Sequence, residues 1–283
     1  MKKPSFAPIA VGTARIEPGR LALIAGPCVL EDPGMAEEVA REVKRIAAAL
    51  DLPFVFKASY AKANRTSGSS ERGPGLSEGL RALVRIRESV GVPVTSDVHE
   101  TAEVAEAARS LDLLQIPAFL SRQTALIEAA ARSGKPLHVK KGQFLAPESM
   151  KHVAEKARAA GASGIILTER GTTFGYGDLV VDFRGLARMR EFGCPVFYDA
   201  THSVQRPGGV TTGGDRDMIP VLARAAVAAG ADGIFLETHP DPAKARSDRE
   251  TQWPLSELEE LLRSLIKIRQ AVADTIVLEG QRA

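Results

Sequence analysis

Eight times along this chain a short apolar run, rich in β-branched residues, ends in polar side chains and gives way to a segment of helical periodicity. The runs are LALIAGPC (21–28), PFVFKASY (53–60), VPVTSDVH (92–99), LLQIPAF (113–119), PLHVKKG (136–142), GIILTERG (164–171), PVFYDATH (195–202) and GIFLETHP (233–240). In AEEVAREVKRIAAAL, after the first run, Val39, Val43, Ile46, Ala47 and Leu50 share one helical face, the spacing of a helix laid on a sheet. Gly91, Gly134, Gly161, Gly193 and Gly230 precede later runs, where a left-handed helix C-cap favours glycine. Strands alternating with helices over about 250 residues predict a closed parallel α/β architecture, a (β/α)8 TIM barrel. The rival is an open doubly wound sheet, but AGPCVLEDPG is not the G-x-G-x-x-G turn that often follows its first strand.

No Gly/Ser/Pro-rich linker divides the chain, so residues 1–283 read as a single catalytic domain. Residues 1–20 precede the first run and predict a short N-terminal hairpin closing the barrel floor; from Ser256 the chain reads as one long closing helix. A net charge of +2 supplies no field for gathering nucleic acid, so any anion must be held by a local cluster. No apolar run approaches the roughly 20 residues that cross a bilayer, which argues against a membrane partner. The absence of a signal-peptide core and the presence of only two cysteines, Cys28 and Cys194, point to the cytoplasm.

In a barrel the C-terminal strand ends converge on one face, where loops build the active site. Here those ends carry Cys, Lys, Asp, Gln, Lys-Lys, Glu-Arg, Asp-His and Glu-His. Exit into solvent explains one or two of them, but loops favour Gly, Asp, Asn and Ser over strand-borne Lys, Arg, His and Cys. Closure makes the eighth strand a neighbour of the first, so Cys28, His202 and Glu237 would sit side by side, with Asp248 from the following loop. Thiolate, imidazole and carboxylates suit a divalent transition ion such as Zn, Fe or Mn. Taken alone, Cys28 reads more readily as a small buried hydrophobe, which is also the reading for Cys194 at the start of the seventh run.

Cations form the second cluster: Lys57, Lys62 and Arg65 on one side, Lys140, Lys141 and Arg170 on the other. An uncompensated buried cation costs several kcal/mol, roughly, and charge-assisted bonds to an anionic ligand would remove that cost. Two groups facing one mouth imply a ligand pair with two anionic ends. The stretch SVQRPGGVTTGGDRDMIP after His202 offers glycines for a mobile lid or for a static loop.

The segments AGPC, FKASYAKANRTS, RGPGL, TSDVHE, QIPAFLSRQT, VKKGQFLAP, TERGTTFGY, DATHSVQRPGG and ETHPDP closely resemble the 3-deoxy-D-manno-octulosonate 8-phosphate synthases, from about Leu23 to Pro254. Lys62-Ala63-Asn64-Arg65 is the most specific of these, since the related heptulosonate 7-phosphate synthases typically carry K-P-R-T-S there. The family has a metal-independent branch with Asn at the Cys28 position, so Cys28 places this chain with the metal-dependent branch. One departure is Gly68-Ser69, where the family commonly has Ile-His.

The resemblance implies a transferase that condenses phosphoenolpyruvate, D-arabinose 5-phosphate and water to octulosonate 8-phosphate and phosphate, for lipopolysaccharide synthesis. By motif, Lys62, Gln115, Lys140 and Arg170 would hold phosphoenolpyruvate, with Lys57 beside it. Asn64, Arg65 and Thr66 would face the sugar phosphate. Cys28, His202, Glu237 and Asp248 would bind Zn, Fe, Mn or Co, with Asp97 in the same polar centre. Lys57, Lys62, Asp97 and His202 would be the catalytic groups. A homotetramer also follows from the resemblance. The alternatives are a heptulosonate synthase using erythrose 4-phosphate, a Schiff-base aldolase working through Lys140, and a non-catalytic sugar-phosphate-binding barrel.

Overall fold

Strands form where the eight runs predict them. The computed structural model describes residues 6–62, 73–173, 176–207 and 213–279, with side chains as far as 274. The barrel strands are β3 (Ala22–Gly26), β4 (Phe54–Lys57), β5 (Val94–Asp97), β6 (Leu113–Ile116), β7 (Leu137–Lys140), β8 (Ile165–Glu169), β9 (Val196–Asp199) and β12 (Gly233–His239). Each pairs in parallel with the next, and β12 pairs with both β9 and β3, which closes the ring. Their residues are buried on both faces, the condition that lets a parallel strand be apolar throughout.

Helices cover the outside: α1 (Pro33–Ala49), α2 (Leu76–Val90), α3 (Val104–Ser110), α4 (Thr124–Arg132), α5 (Met150–Ala159), α6 (Arg184–Arg190), α7 (Met218–Ala228) and α8 (Leu258–Glu279). Among the described residues none is long and apolar enough to cross a membrane. In α1, Val39, Val43, Ile46 and Ala47 are buried as their spacing requires. Asp32 caps that helix, its carboxylate accepting from Met35 N at 2.7 Å, and Pro33 fills the first turn, where its missing N–H costs nothing. The five glycines expected at helix ends all have positive φ, from 69° to 96°. The closing helix follows a 3-10 turn at Leu255–Glu257.

The expected hairpin is present as β1 (Ile9–Val11) and β2 (Ala14–Ile16), paired antiparallel with Ile9 opposite Ile16. Phe6, Ile9, Val11 and Ile16 join Ile24, Val55, Leu113, Ile166, Phe197 and Phe235 in one apolar cluster. The N-terminal segment therefore plugs the floor, and the polar strand ends are left at the opposite mouth.

Gly26 sets the start of that mouth. Its φ is +153°, and a Cβ there would lie 2.1 Å from the Lys57 carbonyl oxygen, so β3 approaches β4 too closely for any side chain. Gly26→Ala is expected to lower stability by at least about 2 kcal/mol, in the range of backbone-strain substitutions. Denaturant titration checks this; an unchanged midpoint would show that the strands part freely.

Candidate active site

The last residues of the strands bring charge into the barrel mouth in opposed pairs. Lys57, ending β4, donates to Glu237 Oε1 at 2.7 Å and to the Cys28 carbonyl at 2.9 Å. Lys62 lies 3.8 Å from the same Glu237 oxygen. Lys140, ending β7, donates to Asp199 Oδ2 at 2.5 Å, and its ammonium sits 2.9 Å from the centroid of the Phe235 ring. Arg170, just past β8, donates through Nη2 to Gln205 Oε1 at 2.8 Å, while its buried Nη1 has no hydrogen-bond partner among the described residues. Asp97, ending β5, accepts from Ser59 Oγ at 2.6 Å and Gln115 Nε2 at 2.5 Å.

The expectation of uncompensated cations is therefore corrected. Among the described residues, Lys57, Lys62, Lys140 and Arg170 are accompanied by the carboxylates Asp97, Asp199, Glu237 and Asp248. Burying ion pairs is a poor way to gain stability, because each ion gives up several kcal/mol of hydration, roughly. Such a concentration at one strand end reads as machinery. Burial alone would raise the carboxyls of Glu237 and Asp97, but neighbouring cations, Lys57 first, hold both well below the usual range. Asp199 is likewise held down against burial, by His202 and Lys140. Burial pushes Lys140 down to about 8, with Asp199 opposing.

Lys141 takes no part in this cluster, contrary to its grouping with the anion-binding cations. Successive strand residues point to opposite faces, so with Lys140 inward Lys141 points out among the helices. There it lies 3.4 Å from Glu169 Oε1 and donates to the Leu145 carbonyl at 3.2 Å.

On the other side of the mouth, donor atoms of Cys28, Glu237 and Asp248 lie within 4.8 Å of one another. The Cys28 thiol donates to Asp248 Oδ2 at 2.8 Å, with Ser247 Oγ 3.0 Å from its sulfur, and burial followed by the Asp248 and Glu237 charges keeps it protonated. Glu237 Oε2 is buried without a hydrogen-bond partner among the described residues. His202 approaches this trio through Glu237, Nε2 to Oε1 at 3.6 Å, and does not itself join the trio. Its Nδ1 lies 2.9 Å from Asp199 Oδ2, an arrangement that fixes the ring of many metal-binding histidines. A sulfur donor, a free carboxylate oxygen and a nearby oriented imidazole fit a divalent transition ion.

Asp248 reaches this position through a left-handed backbone, φ +48°, a conformation that Asp tolerates better than most residues. Thr251 N and Gln252 N donate to its carbonyl at 2.9 and 3.0 Å. Gln252 then ties the loop to the first strand, accepting from Cys28 N at 3.3 Å and donating to the Ser247 carbonyl at 2.9 Å.

Asn64, Arg65 and Thr66, and the Gly68-Ser69 departure, lie outside the described residues. So do Gly208 and Gly209 of the glycine-rich stretch. What is described there is a short antiparallel ribbon, β10 (Gln205–Arg206) with β11 (Gly213–Gly214). A Cβ at Gly214 would meet Thr251 Cγ2 at 2.1 Å, so this glycine serves close packing.

Ser59, Gln205, Phe235, Ser247 and Gln252 complete the site without having been singled out in the sequence, and Asp199 was given no role beyond a polar strand end. Asp199 left a signal: it ends a strand, three residues before His202. Gln205 left none, because its partners lie 35 and 43 residues away.

Residues 11–274 match the model of the DAHP synthetase I family. The 2-dehydro-3-deoxyphosphooctonate aldolase of Acidithiobacillus ferrooxidans (strain ATCC 53993 / BNL-5-31) is 56% identical over 252 residues, covering 88% of this chain and 90% of that protein. The protein of the same name from Desulfotalea psychrophila is 52% identical over 274 residues, 96% of each chain. That from Methylobacillus flagellatus is 54% identical over 256 residues, covering 89% of this chain and 92% of its own length. With a barrel mouth that gathers four cations beside a thiol–carboxylate trio, the chain belongs to the DAHP synthetase I family and, within it, stands with the 2-dehydro-3-deoxyphosphooctonate aldolases.

Proposed function

We propose that this protein, a single barrel domain, is a transferase that condenses phosphoenolpyruvate, D-arabinose 5-phosphate and water to 3-deoxy-D-manno-octulosonate 8-phosphate and inorganic phosphate. One observation carries the reading: Arg170 Nη1 and Glu237 Oε2, each buried and without a hydrogen-bond partner among the described residues, lie at the same end of one barrel. They offer a donor to an anion and an acceptor to a cation. High identity to the named aldolases over nearly the whole chain favours the five-carbon acceptor over erythrose 4-phosphate.

Carbon 3 of the enol phosphate attacks the aldehyde, water adds at carbon 2, and phosphate leaves. Arg170, Lys140, Lys62 and Gln115 hold the phosphate and carboxylate, and Asn64, Arg65 and Thr66 hold the sugar phosphate. Fixing both reactants face to face removes about 7–11 kcal/mol of barrier in well-oriented systems. Lys57, Lys62, Asp97 and His202 line the reacting centre. They manage the proton that water gives up and the one the aldehyde oxygen gains. Cys28, His202, Glu237 and Asp248 hold the divalent ion, Zn, Fe, Mn or Co, which supplies Lewis-acid polarisation of an oxygen when bound. Cytoplasmic operation and a homotetramer belong to the same reading; Phe119 and Phe144, each 55% exposed, offer apolar surface for subunit contact.

The test compares phosphate release from phosphoenolpyruvate with each aldehyde. Arabinose 5-phosphate is expected to turn over faster; faster turnover of erythrose 4-phosphate would overturn the acceptor assignment. A pH effect accompanies it. Only protonated Lys140 attracts the anion, and burial has lowered its pKa to about 8. The KM for phosphoenolpyruvate is therefore expected to rise above pH 8, by up to about tenfold per unit. A KM flat from pH 7 to 9.5 would remove Lys140 from this role.

A further inference from the structure

Between the Arg170 guanidinium and the Cys28–Glu237–Asp248 trio stands one uncharged side chain, that of Gln205. Its Oε1 accepts from Arg170 Nη2 at 2.8 Å, and its Nε2 reaches Asp248 Oδ1 at 3.5 Å, the long limit of a hydrogen bond. The other oxygen of Asp248 lies 2.8 Å from the Cys28 sulfur. A continuous run of polar contacts thus joins the anion side of the mouth to the metal side. We propose that Gln205 is a positioning residue that couples the two, keeping Arg170 free for the anion and Asp248 free for the cation while fixing the direction of both. The proposal rests on the function proposed above.

The amide suits this place because it ends in both an acceptor and a donor. Its oxygen faces a guanidinium, and its NH2 faces a carboxylate. A carboxylate here would repel Asp248, and an ammonium would repel Arg170. An apolar side chain would leave the guanidinium and the carboxylate to attract each other directly, consuming the groups each ligand needs. Gln205 is also well placed mechanically. It opens β10, and the backbone pairing of Gln205 with Gly214, together with Asp215 N donating to the Val204 carbonyl at 3.0 Å, fixes its main chain in a short antiparallel ribbon. Asp248, by contrast, stands in a left-handed conformation on a loop, where an outside contact has most to fix.

The experiment measures binding, not turnover. Co2+ is titrated into metal-free protein, read by the thiolate-to-cobalt absorption of Cys28, with and without phosphoenolpyruvate. Phosphoenolpyruvate is titrated by calorimetry with and without Co2+. Linkage requires the same coupling factor from both directions. Direct attraction between a bound cation and a bound anion contributes in every variant, so the decisive quantity is the ratio of factors. In Gln205→Leu the coupling factor is expected to fall at least about threefold below that of the unmodified protein, within the range for contacting groups. Gln205→Glu, which keeps the acceptor for Arg170 but opposes Asp248, should lose it as well. Gln205 is only half-buried, so both variants should keep the thermal midpoint, measured alongside. Equal factors in all three proteins would overturn the role of Gln205 and leave the proposed function standing. An unmodified protein that binds Co2+ but not phosphoenolpyruvate would overturn both.

Discussion

Arg170→Ala is expected to lower kcat/KM for phosphoenolpyruvate by about a hundredfold to a thousandfold, within the range for truncating one partner of a buried, hydrogen-bonded charge pair. Arg170 is 5% exposed, and Gln205 engages its Nη2. Nη1, buried and without a partner among the described residues, is the free donor. Burial lowers the pKa of the group, yet a guanidinium remains charged throughout the working range. Nearby carboxylates, Asp199 first, offset part of its desolvation, and a bound anion would engage the donor they leave free. The loss should appear mainly as a raised KM, because the interaction is present before chemistry begins. Arg170→Lys keeps the charge but loses the planar fork, and should fall between the two. An unchanged KM in Arg170→Ala would place the anion elsewhere.

Removal of the divalent ion is expected to abolish turnover, and Mn2+, Co2+ or Zn2+ to restore it to differing extents. The Cys28 thiol is buried against Asp248 and Glu237, an environment hostile to a thiolate on its own. A divalent ion held there would reverse that by favouring the thiolate over the thiol. Outer-shell partners of metal sites are typically worth 10–100-fold in affinity, so Cys28→Asn, which alters a proposed ligand itself, should weaken metal binding by at least about 100-fold. Full activity in protein shown to be metal-free would contradict this role for the trio.

The barrel was legible because its signals are periodic and local. Apolar runs of strand length, helix faces and glycines at left-handed C-caps each depend only on neighbouring residues, and all eight strands and five caps appear where they point. The floor hairpin was expected only from its place before the first run. Lys141 was misplaced because two consecutive strand-end lysines must face opposite ways, and which one faces inward depends on register with β6 and β8. The partners Asp199 for Lys140 and Glu237 for Lys57 lie 59 and 180 residues away. No local pattern records such pairings; they exist only once the ring closes. Gly214 illustrates the same limit, since its lack of a side chain answers to Thr251 across a packed contact.

The most direct test identifies the product formed from phosphoenolpyruvate and arabinose 5-phosphate, with phosphate counted in the same reaction, before and after chelation. The expected result is the eight-carbon 3-deoxy keto-acid phosphate and one inorganic phosphate per molecule formed, both lost on chelation and recovered on adding Mn2+, Co2+ or Zn2+. Phosphate released without that product, or the product formed undiminished by metal-free protein, would contradict a metal-assisted condensation at this barrel mouth.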